Sequence, residues 1–99
     1  MKVVNLTNAR GNKVANQFKI ITDNKVYFQS YDSIVAALDK RNGNLVLSAY
    51  WDYSKTTIRH LYSFLADYGL INLCSAPAMR KAIELGEVEV MPETSLSLD

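Results

Sequence analysis

His60 is the only histidine and Cys74 the only cysteine in the chain, so the residue types that most often bind metals or act as nucleophiles have no partners of their own kind. His60 follows Arg59, has no second histidine or carboxylate at metal spacing, and is expected on the solvent side of a helix. Cys74 lies in the apolar run LINLCS, where a buried, inert thiol is expected rather than a nucleophile. Asp23, Asp32, Asp39 and Asp52 all fall in stretches of turn composition, where aspartate hydrogen-bonds nearby backbone, and no two can be paired as acid and base. The 4 glycines are scattered, so no glycine-rich loop is present to cradle a phosphate. The expectation is a non-enzymatic chain with no catalytic residue, no metal and no cofactor.

Two groups of residues carry binding chemistry instead. WDYSKTT, residues 51–57, brings Trp51 and Tyr53 together, residue types that supply large contact area at low entropic cost. A structural role for Trp51, closing a core between sheet and helix while Asp52 or Ser54 caps the helix, carries more weight. The second group is Lys19, Tyr27, Gln29 and Tyr31, expected to share the outward face of a hairpin, an alternation suited to stacking single-stranded nucleic acid. Burial of that face beneath a helix is the plainer alternative. Lys19, Tyr27, Gln29, Tyr31, Trp51 and Tyr53 are therefore the candidate partner-binding residues.

Charge argues against a polyanion as the main partner. Lys and Arg number 11 against 10 Asp and Glu, a formal net charge of +1, so the whole-molecule field cannot draw in nucleic acid or a membrane surface. A local patch would have to come from Lys2, Arg10 and Lys13, with Lys40 and Arg41 in a separate loop. No apolar run approaches the ~20 residues that span a bilayer, and the polar N-terminal stretch does not read as a secretion signal. With the lone cysteine, these features point to a reducing, cytoplasmic setting.

The elements that must position these residues follow from apolar period. Val3, Val4 and Leu6 suggest a short edge strand before the turn-rich run Asn8 to Asn12. Val14–Thr22 and Val26–Tyr31 read as a hairpin. A three-residue loop, Asp23 to Lys25, would set Thr22 opposite Val26 and Ile20 opposite Phe28, giving one apolar face of Phe18, Ile20, Val26 and Phe28. Ser33 to Leu38 favours a strand, Lys40 to Asn44 a turn, and Leu45 to Leu47 a further strand. The period then changes. Ser54 is the expected cap for a helix over Lys55 to Tyr68, with Ile58, Leu61, Tyr62 and Leu65 as its buried stripe and Gly69 as its stop. A shorter helix begins near Ser75, tolerates Pro77 in its first turn and ends at Gly86, turning Ala78, Met79, Ala82 and Ile83 inward. Val88 and Val90 form a brief last strand. The connection from Gly69 to Ser75 is too long and too apolar for a helix-turn-helix. The fold class is α+β: a small antiparallel β-meander packed against one main α-helix plus a second short helix. Residues 1–91 make a single domain and residues 92–99 a flexible, polar C-terminal tail.

VANQFKIITDN (Val14 to Asn24), VYFQSYDSIVA (Val26 to Ala36), WDYSKTT (Trp51 to Thr57) and GEVEV near the C-terminus together resemble a family of small bacteriophage proteins carrying a domain of unknown function. The resemblance covers most of the chain and transfers no catalytic residue. It implies an accessory phage product acting in the bacterial cytoplasm. The leading expectation is then a non-enzymatic protein that binds and modulates, in the sense of inhibiting, a host or host-defence protein complex such as a CRISPR effector. The alternative is a small nucleic-acid-binding module using the aromatic and basic hairpin face. No membrane partner is expected.

Overall fold

The first half of the chain is rich in β-branched and aromatic residues and forms five consecutive strands: β1 Lys2–Thr7, β2 Lys13–Ile21, β3 Lys25–Ser30, β4 Ser33–Asp39 and β5 Leu45–Leu47. The computed structural model describes residues 1–98; Asp99, the last residue of the expected tail, lies outside the described residues. Helices α1 (Lys55–Asp67) and α2 (Ala76–Glu84) follow, joined through a single 3₁₀ turn at Ile71–Leu73, and β6 (Val88–Val90) closes the order. The six strands lie in chain order in one sheet, antiparallel throughout except for β5 and β6, which pair in parallel. Parallel pairing needs a crossover, and the two helices supply it.

Both helices begin and end where local chemistry dictates. The Ser54 side chain accepts the Thr57 N–H ahead of α1, and Ser75 accepts that of Ala78 ahead of α2, caps worth about 1 kcal/mol each. Gly69 takes a φ of 80° just past α1, and the Leu70 N–H reaches back to the Leu65 carbonyl, the bonding of a helix closed by a left-handed residue.

The main core lies between the sheet and the helices. Val26, Phe28, Val35, Ala36, Leu38, Leu45 and Leu47 meet Leu61, Phe64, Leu65, Met79 and Ala82 there, with Trp51 closing one side. The buried stripe of α1 is Thr57, Leu61, Phe64 and Leu65, rotated toward Phe64 from the expected Ile58 and Tyr62, which are half-buried. Phe64 is held in that position by stacking on Phe28 at 5.8 Å.

The hairpin register differs from the expectation. Ile21 pairs with Val26, Ile20 with Tyr27, Lys19 with Phe28 and Phe18 with Gln29, so Asp23 and Asn24 alone span the turn and Thr22 bonds Lys25 through both its backbone and its hydroxyl. Mixed apolar and polar pairs are tolerated because both faces of the sheet are covered. On the face away from the helices, Ile20, Tyr27, Ile34 and Ala37 form a second buried cluster, against which Leu96 packs. A one-residue bulge at Val35, where pairing slips between Phe28 and Gln29, turns Val35 and Ala36 to the main core while Ile34 and Ala37 serve the other face.

Residues 92–98, expected to have little to bury, are laid back onto the sheet. Glu93 O accepts from Ala49 N, Leu96 N donates to Ile34 O, and Ile34 N donates to Ser95 Oγ at 2.9 Å. Leu96 is the reason, because it covers apolar surface that would otherwise face water.

Candidate functional site

The residues expected to form one outward hairpin face are divided by the observed register. Tyr27 is 1% exposed in the second cluster. Lys19, opposite Phe28, points to the helix side, where its ammonium lies 5.4 Å from the ring of Tyr68. Gln29 is half-buried and its Nε2 donates to the Tyr31 carbonyl at 2.6 Å. Trp51 is 5% exposed in the main core. Its ring faces the Arg80 guanidinium at 5.3 Å, and Arg80 also bonds the Asp52 carboxylate at 3.1 Å. Of the six candidates, Tyr31 and Tyr53 present open aromatic surface, at 56% and 74% exposure.

Those two rings come together at one end of the sheet with a residue that sequence reasoning passed over, Tyr50, 44% exposed. Tyr50 stacks on Tyr53 with centroids 5.0 Å apart and planes within 10°. Together with Tyr31, Asp32, Ser30, Ser33, Val35 and Thr57 they line an open cleft of about 290 Å³. The signal was present in YWDY, where two tyrosines flank a tryptophan and an aspartate three positions apart in a turn, but an aromatic run beside a helix start reads first as core.

Each wall of the cleft is held by its local backbone. Tyr31 and Asp32 are the two-residue loop between β3 and β4, since Ser30 pairs with Ser33 across it. Tyr31 has φ 57°, a left-handed conformation in which a bulky residue is an outlier and glycine is preferred. It is held there by a 2.6 Å bond from its N–H to the carbonyl of Asn16, itself at φ 64°. Strain of this kind persists only where surrounding structure imposes it, and it concentrates at functional positions. The Tyr50–Tyr53 turn is closed by the Tyr53 N–H on the Tyr50 carbonyl and by the Tyr50 N–H on Ser48 Oγ.

The floor is polar. Ser30 Oγ and Thr57 Oγ1 lie 3.1 Å apart, and Ser54 Oγ is 3.1 Å from the same Thr57 oxygen. Gln17, the cross-strand neighbour of Ser30, is buried with its Oε1 unpaired among the described residues. Among the described residues, the only ionisable group besides tyrosine lining the cleft is Asp32. Asp39 and Asp52 are each paired with an arginine, whereas no cation engages Asp32 among the described residues.

The remaining titratable groups lie elsewhere. Cys74 donates through Sγ to the Tyr62 carbonyl at 3.3 Å, and burial pushes its thiol up, away from the thiolate that nucleophilic chemistry requires. Burial and the neighbouring Arg59 lower the His60 imidazolium below its usual range. The Arg41 side-chain hydrogen bond holds the Asp39 carboxyl down at about 2. Among the described residues, no group of three or more His, Cys, Asp or Glu side chains comes together to hold a metal ion, and no helix is long and apolar enough to cross a membrane.

A family model described as a family of unknown function (DUF8033) matches residues 1–78, a span that contains the whole cleft. No curated protein and no solved structure is found to match. The chain belongs to the DUF8033 family.

Proposed function

We propose that this member of the DUF8033 family is a non-enzymatic bacteriophage accessory protein that binds and modulates a host or host-defence protein complex, such as a CRISPR effector, in the cytoplasm of the infected bacterium. Its contact surface is the Tyr31, Tyr50 and Tyr53 cluster. The observation that carries the reading is the convergence of three well-exposed tyrosines on one cleft, one of them at a backbone angle that disfavours its side chain. Tyrosine is an enriched anchor at protein interfaces, offering a large rigid ring and one polar tip. The phage setting rests on the likeness of residues 14–24, 26–36 and 51–57 to small phage proteins.

Tagged wild-type chain, Tyr53→Ala and Tyr31→Ala, each used to capture binding proteins from a bacterial lysate with and without nuclease, test this proposal. A defined protein complex retained after nuclease and lost with either variant is expected. Capture that vanishes with nuclease would transfer the reading to a nucleic-acid-binding module, and capture unaffected by both variants would move the contact off the cleft.

A further inference from the structure

We propose that the tyrosine cleft is a receptor for an arginine side chain presented by the partner polypeptide, with Asp32 as its counter-ion and the tyrosine faces as its stacking platform. This deepens the protein-binding reading of the same cleft and rests on it. A guanidinium is planar, weakly hydrated, and suited at once to stacking on an aromatic face and to a carboxylate. The cleft supplies both features: the stacked, nearly parallel Tyr50 and Tyr53 pair, the Tyr31 ring, and a carboxylate with no cation beside it among the described residues.

The molecule already uses this chemistry internally. Arg80 lies over the ring of Trp51 at 5.3 Å while its Nη2 bonds Asp52 at 3.1 Å. Aromatic ring, aspartate and guanidinium form a complete set there, and the cleft presents the ring and the aspartate alone. Backbone and hydroxyl groups around it add acceptors, since Ser30, Ser33 and Thr57 line the same space and a guanidinium carries five donors to satisfy.

Two positive features stand nearby. The N-terminus of α1 carries roughly half a unit charge by its dipole, and there the Ser54 hydroxyl takes up the Thr57 N–H. Lys55, Arg10 and Lys13 do not line the cleft. Among the described residues lining the cleft, Asp32 is the one carboxylate and no cation stands beside it, so a cationic group is favoured there over a phosphate.

The test is an NMR titration of the isotope-labelled full chain with the peptide acetyl-Gly-Arg-Ser-Arg-Gly-amide, beside versions carrying citrulline or lysine in place of both arginines. Saturable shifts confined to residues 30–33, 50–54 and 57 are expected with the arginine peptide, weakened about tenfold in Asp32→Asn and in Tyr53→Ala and reduced by added salt. The backbone spectrum of each variant reports whether it remains folded. Equal binding of the citrulline peptide, equal binding of the lysine peptide, shifts elsewhere on the molecule, or variants that bind as wild type would each overturn the assignment. Should the arginine peptide fail while Tyr53→Ala still releases a nuclease-resistant partner, the guanidinium reading falls and the protein-binding reading stands. In the converse result, peptide binding with no protein captured, the cleft keeps its guanidinium specificity and the protein-binding reading falls.

Discussion

At Tyr31 the chain carries a large side chain where the backbone asks for glycine. An L-residue in the left-handed region costs about 1–2 kcal/mol, while glycine costs about 0.5–1 kcal/mol in extra unfolded-state entropy. Because the ring is mostly exposed, little packing is lost with it. Tyr31→Gly is thus expected to leave stability unchanged or raise it by up to about 1 kcal/mol, a few degrees in melting temperature for a chain of this size. Tyr31→Ala keeps the strained angle and gains nothing. A thermal melt in which Tyr31→Gly unfolds well below Tyr31→Ala would show that the backbone angle carries no strain. Trp51 is the opposite case: its ring is in the core and Arg80 packs over it, so Trp51→Ala is expected to destabilise by about 3–5 kcal/mol. Coincident denaturation curves of Trp51→Ala and wild type would make the indole dispensable to the fold.

Among the elements, the segment after β6 is the one whose role differs most between sequence and structure. Truncation after Met91 removes Leu96 from Ile20, Tyr27, Ile34 and Ala37, along with the backbone bonds to Ile34 and Ala49. A loss of roughly 2–3 kcal/mol is expected, from about 1.5–3 kcal/mol for a buried leucine side chain, discounted for partial burial, plus the hydrogen bonds. Binding of a hydrophobic dye should rise with it, and a truncated chain with wild-type melting and no dye binding would make the segment a passive tail. This covering also explains why the hairpin register departs from the one that apolar pattern favours. The strands β1 to β6, the helix start at Ser54 and the stops at Gly69 and Gly86 are legible in the sequence, because each depends on local period and capping. The pairing of Ile20 with Tyr27 is not, because choosing it requires knowing that a distant leucine buries the second face. Assuming one apolar and one wet face puts Lys19 and Tyr27 on the same side. The cleft is half legible for a similar reason: Tyr31, expected on a strand face, and Tyr53 stand out as aromatic binding candidates, but only the β3–β4 loop and the turn before α1 folding to one end of the sheet brings them to Tyr50.

Across the whole molecule, the distribution of charge separates a protein partner from a nucleic acid. The sequence group Lys2, Arg10 and Lys13 is split by the fold, because Lys2 pairs with Ile21 at the end of the sheet where Lys40 and Arg41 lie. Arg10 and Lys13 flank the β1–β2 turn at the tyrosine end, while Lys40 and Arg41 follow β4 at the other, roughly 20 Å away by the rise of a seven-residue strand. Several are already engaged: Arg41 with Asp39, Lys40 with the Thr22 carbonyl, Lys19 with Tyr68 and Arg80 with Asp52. A strand stacked on Tyr53 and Tyr31 would therefore meet about three cations outside any ion pair among the described residues, Arg10, Lys13 and Lys55, and the Asp32 carboxylate. Three phosphate contacts give a log–log salt slope near −3 at most, short of what drives tight binding. Base stacking adds roughly 1–3 kcal/mol per ring, which is too little alone to pass the micromolar range at physiological salt. Labelled single- and double-stranded oligonucleotides titrated against the full chain at two salt concentrations are thus expected to bind no tighter than about micromolar. Nanomolar affinity abolished by Tyr31→Ala or Tyr53→Ala would mean that stacking on this cleft outweighs its charge, and that the partner is a nucleic acid.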